Sequence, residues 1–586
     1  MIPGLKEHFD EIWVVDFEFS APLGENPEAA CLVAKEFFSG KLFRMSAEEF
    51  KLQPAAPFPV CQRTLVVAFF SSAEWGCFLE LGWPLPKRIL DLYVEFKNMF
   101  NGRETLAGFS LLGALAQFGL SSIDAAEKED MRQLAKRGGP FTQTEMSGLL
   151  DYCQSDVDAT ERLFTKMCCG IDLPRALLRG RYTVAVAVME HNGIPVDHAQ
   201  LQQLRGNWDG IREELVSHID RQYNVFEGLS FREAKFRAWL KRENIPWPTH
   251  ENGKLKLDQD TFRQQAKKFP RVGTLQQLRQ DLSDLRLEKL AVGSDGRNRC
   301  LLSPFSSRTS RNQPSTNKFI FGSSSWLRSL IKPPPGKAIA YIDWSMQELG
   351  IGAALSGDEN MLAAYDSGDP YLALAKFVNA VPDWATKKSH PDERAMYKIC
   401  SLGVQYGMSE YGLALALNVP LVIARCLLRR HKEAYPTFWK WSRANVDCAM
   451  LKGKIQTVFG WTLHIAGKTK ARTIANFPCQ ANGAEMMRLA CSLTTEAGIK
   501  VCCPVHDAIL IEANVDEIEI EVERTKRLMA EASREVLDGF ELRTDAEVVR
   551  YPDRYRDGRG QRMWEKVVQL SNSLDRSEGI RSGTVV

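Results

Sequence analysis

The sequence predicts an α/β protein of several domains. Its 586 residues exceed one ordinary domain, and with 44% hydrophobic residues they can form roughly two to four cores. Short apolar runs typical of strands (residues 12–19 and 64–70) alternate with helix-like runs (110–118 and 146–164). This alternation predicts an α/β domain that ends near residue 170.

The rest of the chain predicts a helical segment followed by a mixed one. Residues 171–300 are mostly amphipathic and charged, with helical periodicity over 199–224 and 275–290. A Pro-Pro-Pro-Gly turn at 333–336 then leads into a predicted strand over 338–343. Beyond it the patterns predict a long helix over 393–417, a hairpin around Asp507 and a polar, disordered tail from about residue 570.

The overall charge gives no sign of a nucleic-acid partner, but one segment is basic. The formal net charge is +2, whereas residues 262–332 carry 14 Lys and Arg against 4 Asp and Glu. Such a segment can face phosphate groups. It can equally consist of solvated helix faces, and charge alone does not separate the two.

The 14 cysteines are scattered, and none forms a Cys-x-x-Cys pair. This pattern indicates neither a zinc site nor a disulfide framework, and it is typical of a reducing compartment. The N-terminus has no apolar signal segment, and no run of 18 apolar residues occurs. We therefore expect a cytoplasmic protein with no membrane partner.

Two acidic residues at the ends of apolar runs form the first candidate site. Asp343 closes the run 338–342, and Asp507 lies in a Pro-Val-His-Asp turn before another apolar run. A strand end holds a carboxylate rigidly, so two such acids that meet can bind two Mg²⁺ ions about 3.5–4 Å apart for in-line attack on a phosphate. Each acid taken alone could also be an ordinary strand-end aspartate.

A basic helix face is predicted between these two acids. Arg394, Lys398, Leu402 and Tyr406 recur at steps of four, and each step drifts only about 40° around a helix, so they share one face. Two cations and a ring on one face suit a nucleoside triphosphate. An exposed basic stripe with a half-buried tyrosine explains the same pattern.

Taken in order, these segments resemble the polymerase motifs of DNA polymerase family A, the DNA polymerase I family. The family's motifs are matched, in chain order, by Asp343 to Glu348 (acid, aromatic, Ser and Glu), by Arg394, Lys398 and Tyr406-Gly407, and by His506-Asp507. Residues 189–197 resemble the segment leading into the family's thumb, 308–311 its template-primer contact, and Arg472, Asn476 and Gln480 its minor-groove and template contacts. The resemblance spans roughly residues 180–565.

The resemblance implies a DNA polymerase that uses Mg²⁺, two ions in each active site. Asp343 and Asp507 would bind the metals, while Arg394 and Lys398 would bind the triphosphate, with Lys398 able to protonate the leaving pyrophosphate. Glu348 would exclude a 2′ hydroxyl, so that the substrates are dNTPs, with Leu402 and Tyr406 beside the nucleotide. The residues implied to contact primer-template DNA are Arg311, Arg472, Asn476, Gln480 and His506.

Two positions depart from the family's pattern. Leu402 stands where the family usually has Phe or Tyr. Because leucine has no hydroxyl to replace a missing 3′ hydroxyl, we expect poor use of dideoxynucleotides. Ala508 replaces an acid that often follows Asp507, which lowers the local negative charge.

The N-terminal segment resembles a DEDDy-type 3′–5′ exonuclease, the proofreading domain commonly found before a family A polymerase. Asp16 and Glu18 share one face of a strand, and Tyr152 and Asp156 lie one helical turn apart. The resemblance implies that these three acids hold metal ions and that Tyr152 orients the attacking water. In the middle motif Phe70 stands near the family's Asn and Glu74 near its Asp, and Asp91 is a second candidate for that acid.

The implied architecture is a ribonuclease H-like exonuclease domain followed by a right-hand polymerase. The expected boundaries are 1–170 for the exonuclease-like domain, 171–300 for the thumb and connecting helices, and 301–586 for palm and fingers, with fingers at about 360–470. The exonuclease-like motif begins at Asp16, which predicts no 5′ nuclease domain ahead of it. We expect a monomer that binds primer-template DNA and dNTPs in a bacterium or a phage-infected cell, and the sequence identifies no processivity factor.

Four rival interpretations remain to be weighed against this one. A single-subunit RNA polymerase should lack the gate that Glu348 provides, and a decayed polymerase should have lost Asp343, Lys398 or Asp507. A polymerase whose exonuclease domain is inactive, and a DNA-binding accessory protein, are the alternatives kept. An accessory protein needs the basic surface over 262–332 but no ordered pair of acids.

Overall fold

The computed structural model describes residues 5–50, 52–121, 125–284, 287–467 and 469–582. Contacts divide the chain into two compact units. The first comprises Met1–Asn192, Leu301–Gln313 and Ile339–Val548, and the second Gly193–Cys300, Pro314–Ala338 and Val549–Val586. The units cut across the expected segments, because 171–192 belongs to the first unit and 314–338 and 549–586 belong to the second.

A five-stranded sheet forms the centre of the N-terminal segment. Its strands are β1 (Glu11–Ser20), β2 (Glu28–Glu36), β3 (Leu42–Ser46), β4 (Thr64–Ala68) and β5 (Ile89–Asp91), in the order β3-β2-β1-β4-β5. The pairs β1–β2 and β2–β3 are antiparallel, and β1–β4 and β4–β5 are parallel. Alternate residues of β1 enter different cores, with Ile12 and Val14 on one face and Trp13 and Val15 on the other, as a strand buried on both faces requires.

Helices cover this sheet and lead out of the segment. They are α1 (Leu5–His8), α2 (Ala47–Phe50), α3 (Ser72–Glu80), α4 (Leu92–Phe100), α5 (Leu111–Gln117), α6 (Ala125–Arg137), α7 (Gln143–Met167) and α8 (Leu173–Asn192). Thr142 and Glu145 form a capping box that fixes the start of α7. The strands and helices predicted from residues 12–19, 64–70, 110–118 and 146–164 are confirmed.

The second unit is mainly helical. Its first elements are β6 (Ile194–Pro195), α9 (His198–Gly206), α10 (Trp208–Tyr223), β7 (Phe226–Glu227), β8 (Ser230–Phe231), α11 (Glu233–Arg242), α12 (Gln259–Lys268), α13 (Gly273–Asp284) and β9 (Arg297–Asn298). The periodicity over 199–224 is divided between α9 and α10, which Asn207 separates. Short 3-10 helices in the chain are Cys168–Gly170, Pro270–Val272, Leu287–Lys289 and Ser325–Leu330.

A four-stranded sheet lies in the C-terminal half, with strand order β13-β14-β10-β15. The strands of this half are β10 (Lys337–Trp344), β11 (Lys454–Gln456), β12 (Thr462–His464), β13 (Lys500–Val505), β14 (Ala508–Asn514) and β15 (Thr544–Arg550). Its helices are α14 (Gln347–Ser356), α15 (Glu359–Asp366), α16 (Pro370–Phe377), α17 (Pro391–Gln405), α18 (Glu410–Leu417), α19 (Leu421–Ala434), α20 (Pro436–Lys452), α21 (Ala471–Glu496) and α22 (Ile518–Val536).

The single long helix expected over 393–417 is wrong, because the structure has two helices there. Helix α17 ends at Gln405, and Gly407 then adopts φ 71°, a left-handed conformation that stops a helix and favours glycine. The hydroxyl of Ser409 caps α18 by accepting from the amide of Gly412 at 3.2 Å.

The disordered tail expected from about residue 570 is also wrong as far as Ser582, because α23 spans Gln561–Ser582. Its buried face includes Trp564, Val567 and Ser571, and Nδ2 of Asn207 donates to the Ser571 hydroxyl at 2.9 Å. A few apolar residues at helical spacing thus anchor a segment whose average composition is polar. Residues 583–586 lie outside the described part of the chain.

Among the described residues, no single helix has the length and apolar character needed to cross a membrane. Helices α18 and α19, bent by 114°, meet that test only as a pair.

Candidate active sites

Asp343 lies near the end of one strand of the four-stranded sheet, and Asp507 lies in the turn that leads into the neighbouring strand. Asp343 is the last residue but one of β10, and Asp507 lies in the turn of the β13–β14 hairpin, where His506 adopts φ 55°. The amide of Trp344 donates to the carbonyl of Asp507 at 3.1 Å. We call this pair the C-terminal acidic site.

The carboxyl groups of the C-terminal acidic site are partly buried, which disfavours their charged forms. Burial, followed by repulsion from Asp507, Asp545 and Glu547, raises the pKa of Asp343 to about 6. Burial also raises the pKa of Asp507, while His506 and Arg311 oppose the rise. Carboxylate oxygens crowded in this way are stabilised by a cation, and they are ligands that suit Mg²⁺.

The acids of β15 were missed by sequence reasoning. Strand β15 lies beside β10, and the amide of Ser345 donates to the carbonyl of Arg543 at 2.9 Å. The hydroxyl of Ser345 donates to the carboxylate of Asp545. The alternation Asp545-Ala546-Glu547 was the available signal, because a strand places both acids on one face.

Glu348 lies in the first turn of α14 and is fixed by two contacts. Its carboxylate accepts from Nη2 of Arg311 at 2.8 Å, and its carbonyl accepts from Nε2 of Gln405 at 2.8 Å. Arg311 belongs to the same compact unit, and its own amide donates to the hydroxyl of Ser307 at 2.8 Å. The predicted nucleotide gate and the predicted DNA contact therefore touch each other.

Helix α17 presents its two cations around an aromatic ring of α16. The guanidinium carbon of Arg394 lies 5.6 Å from the ring centre of Tyr371, and Nζ of Lys398 lies 5.9 Å from it. Arg394 also donates to the carboxylate of Asp369. Lys398 is exposed and Leu402, one turn further on, is half-buried. The face predicted from steps of four thus carries its two cations together.

The end of α17 is tied to α21. The carbonyl of Tyr406 accepts from Nε of Arg472 at 2.5 Å and from Nδ2 of Asn476 at 3.4 Å. Gln480 follows one turn later on α21 and is half-buried, and His506 is exposed. Two of the predicted DNA contacts, Arg472 and Asn476, therefore hold the predicted nucleotide-binding segment in place.

A second acidic cluster lies on the N-terminal sheet. Asp16 and Glu18 of β1 and Asp156 of α7 each offer one carboxylate oxygen, and these atoms lie within 4.8 Å of one another. We call these three residues the N-terminal acidic site. Burial, followed by repulsion from Cys31, Asp156 and Glu74, raises the pKa of Glu18 to about 9, and Lys128 opposes this rise. Burial also raises the pKa of Asp16, followed by repulsion from Glu18 and Asp156.

Glu74 and Asp91 have structural partners. The Glu74 carboxylate accepts from the amide of Phe17 at 2.8 Å, and Glu74 is not among the residues whose oxygens form the three-acid cluster. Asp91 caps α4 by accepting from Val94 at 3.2 Å and also accepts from the amide of Ser71 at 2.8 Å. Burial, followed by repulsion from Asp16 among others, raises the pKa of Glu74, so its carboxylate lies close to the N-terminal acidic site.

Two further groups complete the N-terminal acidic site. Tyr152 lies one turn before Asp156 on α7. Its pKa is raised by burial of the hydroxyl, followed by repulsion from Asp156, Glu18 and Asp16. Nζ of Lys128 lies 2.7 Å from both carboxylate oxygens of Asp156. Lys128 was missed, because a lysine in a charged helix carries no signal in the sequence.

Buried polar contacts join the N-terminal segment to the C-terminal part of the same compact unit. Nη1 of Arg179 on α8 donates to the carbonyl of Phe459 at 3.4 Å. The same guanidinium donates to both oxygens of Glu95 on α4 at 2.6 and 2.7 Å, and both side chains are less than 7% exposed. Nδ2 of Asn101 donates to the carbonyls of Arg308 and Thr462, at 2.8 Å each. The two acidic sites therefore belong to one packed body.

Comparison with known sequences gives a consistent result. The sequence model of DNA polymerase family A matches residues 311–548. DNA polymerase I of Chloroflexus aurantiacus is 24% identical over 450 residues, 70% of this chain and 47% of that protein. The DNA polymerase of Mycobacterium phage D29 is 25% identical over 502 residues, 81% of this chain and 80% of that protein. The chain thus spans about half the length, or less, of the bacterial relatives that match it first.

A solved structure has the same fold. The polymerase domain of Pol1 from M. smegmatis, in complex with DNA primer-template and dNTP, superposes with a TM-score of 0.73 and covers 94% of this chain and 98% of its own. Sequence identity is 18%, so this likeness is one of fold. It shows a mixed α/β polymerase fold.

Proposed function

The chain belongs to DNA polymerase family A, and on that premise we propose that it carries out template-directed DNA synthesis. The 3′ hydroxyl of a primer would bond to the α-phosphorus of a dNTP, and pyrophosphate would leave. The observation that carries this proposal is the meeting of Asp343 and Asp507 at neighbouring strand ends. Two rigidly held carboxylates are what two-metal phosphoryl transfer requires.

Asp343 and Asp507 are proposed to hold two Mg²⁺ ions. When bound, the ions supply positive charge to the reacting phosphate and make the primer hydroxyl a better nucleophile. The carboxylates contribute rigidity, because each is fixed by a strand or hairpin of the sheet. Their partial burial also leaves them few competing water contacts.

Glu348 is proposed to set the choice of sugar. Its bond to Arg311 and the Gln405 contact to its carbonyl hold the side chain in one place, and a fixed side chain can exclude a 2′ hydroxyl. The substrates would therefore be dNTPs. Leu402 and Tyr406 would lie beside the bound nucleotide.

Arg394 and Lys398 are proposed to bind the triphosphate. Both flank Tyr371, and Arg394 is paired with Asp369, so binding would exchange a carboxylate for phosphate oxygens as the partner of Arg394. Lys398 is exposed and can donate a proton to the leaving pyrophosphate.

Primer-template DNA is proposed to contact Arg311, Arg472, Asn476, Gln480 and His506. Arg472 and Asn476 also hold the carbonyl of Tyr406, so a template contact at these residues would be coupled to the nucleotide-binding segment. That coupling supports their placement near the templating base.

A 3′–5′ exonuclease activity is proposed for the N-terminal segment. The sheet order suits a ribonuclease H-like fold, and Asp16, Glu18, Asp156 and Tyr152 lie together as such an exonuclease needs. The acids would bind divalent ions and Tyr152 would orient the attacking water. Glu74, which accepts from the amide of Phe17 through one oxygen and is repelled by Asp16 and Asp156, is proposed as the fourth acid of this site.

Primer extension with dNTPs and Mg²⁺ tests the polymerase proposal. We expect Asp343→Asn and Asp507→Asn to abolish extension, because each removes a proposed metal ligand. The control is Asp516→Asn, which changes an exposed acid in the turn after β14 and should extend like the unaltered protein. Extension by both site variants would refute the proposal. An unaltered protein that binds primer-template without extending it would favour the accessory-protein alternative.

A further inference from the structure

The end of helix α4, in the N-terminal segment, contacts the loop that carries Arg311. Nζ of Lys97 donates to the carbonyl of Ser306 at 3.0 Å, and Nδ2 of Asn101 donates to the carbonyl of Arg308 at 2.8 Å. Lys97 and Asn101 lie one helical turn apart, so they approach the loop from the same side. All of these residues belong to the first compact unit.

The backbone of this loop is strained. Ser303, Phe305 and Ser310 adopt φ angles of 50°, 57° and 60°, in the left-handed region that residues other than glycine rarely occupy. Residues keep such a conformation only where the surrounding structure holds them, and they are frequent at functional sites. The shape of the loop therefore depends on the groups that contact it from outside.

The loop closes into a turn that passes this support on to Arg311. The hydroxyl of Ser307 accepts from the amide of Arg311 at 2.8 Å, and the amide of Ser307 donates to the carbonyl of Arg311 at 3.2 Å. The buried guanidinium of Arg488 donates to the carbonyl of Ser310 at 3.0 Å. Nη2 of Arg311 then reaches the carboxylate of Glu348 at 2.8 Å. A fixed turn thus fixes the cation that holds Glu348.

We propose that Asn101 is a positioning residue for the choice between dNTP and rNTP. Its buried amide group fixes the carbonyl of Arg308, and the turn then places Arg311 against Glu348. The inference rests on the proposed role of Glu348 in excluding a 2′ hydroxyl. It makes the end of α4 part of the polymerase's selection of substrate, although the rest of that segment resembles an exonuclease. Asn101 would act through Arg311 and not by contact with the nucleotide.

Single-turnover incorporation of dCTP and rCTP opposite a template guanine tests this role. The preference is the ratio of the two specificity constants, and the rate at which the added nucleotide is removed is measured on the same proteins and subtracted. We expect Asn101→Ala to lower the preference for dCTP by about tenfold, the worth of one buried hydrogen bond. The change should come mainly from faster use of rCTP. Lys97→Met, which removes the second contact to the loop, should lower the preference by a smaller factor.

The matched control is Asn98→Ala. Oδ1 of Asn98 accepts from the amide of Thr462 at 2.7 Å, so this variant loses a contact of the same helix with β12 but none with the loop. Its preference for dCTP should equal that of the unaltered protein. An equal preference in Asn101→Ala and Asn98→Ala would overturn the positioning role.

Glu348→Ala separates positioning from a general loss of structure. Because it removes the gate itself, adding Asn101→Ala to it should lower the preference no further. Effects that multiply in the double variant would overturn the inference. Thermal unfolding shows whether each variant is folded. If Asn101→Ala is not, Lys97→Met takes its place in the same comparison, and an unchanged preference there overturns the inference.

Failure of the proposed function has a different result. A preference that Glu348→Ala leaves unchanged refutes the gate, and the role of Asn101 falls with it. A preference that Glu348→Ala lowers and Asn101→Ala leaves unchanged overturns only the positioning role.

Discussion

The two acidic sites of this protein use the same chemical groups in opposite surroundings. In the C-terminal acidic site, two acids are partly exposed, and the nearby cation Arg311 comes from a distant segment of the chain. In the N-terminal acidic site, acids from one strand and one helix lie against a lysine that bonds Asp156 directly. The carboxylates of the N-terminal acidic site lie within 4.8 Å of one another and one of them already bonds a cation.

This difference shows how a fold sets the charge state of a carboxylate. Burial raises the pKa of Asp343 to about 6, below neutral pH, so this acid is mainly ionised before any ion binds. Burial raises the pKa of Glu18 to about 9, so this acid must lose a proton when an ion binds at neutral pH. The two sites should therefore respond differently to substitution, to pH and to metal concentration.

The largest expected effect is the separation of the two activities. Replacing Asp16 and Glu18 together by Ala removes two of the three acids, and we expect degradation of a mismatched 3′ end to fall by at least about 100-fold. Extension should be unchanged, because the C-terminal acidic site keeps its acids. A labelled primer, followed with and without dNTPs, reports both activities.

The matched control for that variant is Asp10→Ala with Glu11→Ala, which changes two acids just before and at the start of β1 and outside the cluster. Degradation that survives in the Asp16 and Glu18 variant would show that the N-terminal acidic site is not an exonuclease. Loss of extension in the same variant would show that the sites are not separable.

The next largest effect concerns a buried ion pair between two helices of the N-terminal region, α4 and α8. Arg179→Met leaves Glu95 buried without its partner, and we expect the free energy of unfolding to fall by about 3–5 kcal/mol. Arg179→Met with Glu95→Met removes both charges and should cost less. Thermal or denaturant unfolding of the single and double variants measures the coupling, and equal losses in both would mean that shape rather than charge matters at this contact.

Sequence patterns predicted the backbone of both regions better than their side-chain partners. A short apolar run identified β1, and an apolar run ending in an acid identified β10, because burial of a strand leaves a local trace. The contacts of Arg311 with Glu348 and of Lys128 with Asp156 join segments far apart in the chain. No local pattern encodes which distant side chains meet, so these contacts were beyond prediction.

The two predictions that the structure contradicts fail for the same physical reason. The single helix expected over 393–417 is interrupted at Gly407, whose positive φ ends α17. The expected disorder of the tail follows from its average polarity, whereas Trp564 and Val567 supply the apolar face of α23. In both cases one or two residues at specific positions outweighed the composition of the segment.

The third prediction uses pH to separate the sites. Below its pKa of about 9, Glu18 holds a proton that a metal ion must displace, so the metal affinity of the N-terminal acidic site should rise with pH up to that value. Asp343, with a pKa of about 6, has already lost its proton at neutral pH. Between about pH 7 and pH 8.5, the Mg²⁺ concentration for half-maximal degradation should fall by up to about tenfold per pH unit, and that for extension should change little.

Measuring both Mg²⁺ dependences in one buffer series makes the comparison internal. Parallel curves for degradation and extension would contradict the difference in carboxyl environment. Lys128→Met should steepen the dependence of degradation, because the lysine favours the charged forms of Asp16 and Glu18.

A smaller effect is expected at Leu402. This residue concerns only the C-terminal region and its discrimination between dNTP and ddNTP. Leucine offers no hydroxyl, so dideoxynucleotides should be used poorly, and Leu402→Tyr should reduce the preference for dNTP over ddNTP by about tenfold, the worth of one hydrogen bond. Competition between a dNTP and its ddNTP in single-nucleotide extension measures the ratio. Leu402→Phe is the matched control, since it adds the ring without the hydroxyl, and equal use of both nucleotides by the unaltered protein would refute the prediction.

The smallest effect tests whether the acids of β15 compensate for Ala508. Asp545 is exposed, bonded to the hydroxyl of Ser345 and close enough to Asp343 to repel it. Asp545→Asn removes one negative charge beside Asp343, and we expect the Mg²⁺ concentration for half-maximal extension to rise about threefold, as for an exposed charge pair worth ~0.6 kcal/mol. Degradation should keep its Mg²⁺ dependence.

A rescue variant sharpens this test. Adding Ala508→Glu to Asp545→Asn places an acid next to Asp507 and should restore the lower Mg²⁺ concentration for half-maximal extension. If Asp545→Asn changes nothing while Asp343→Asn abolishes extension, the charge of β15 is incidental and the C-terminal acidic site works with two carboxylates alone.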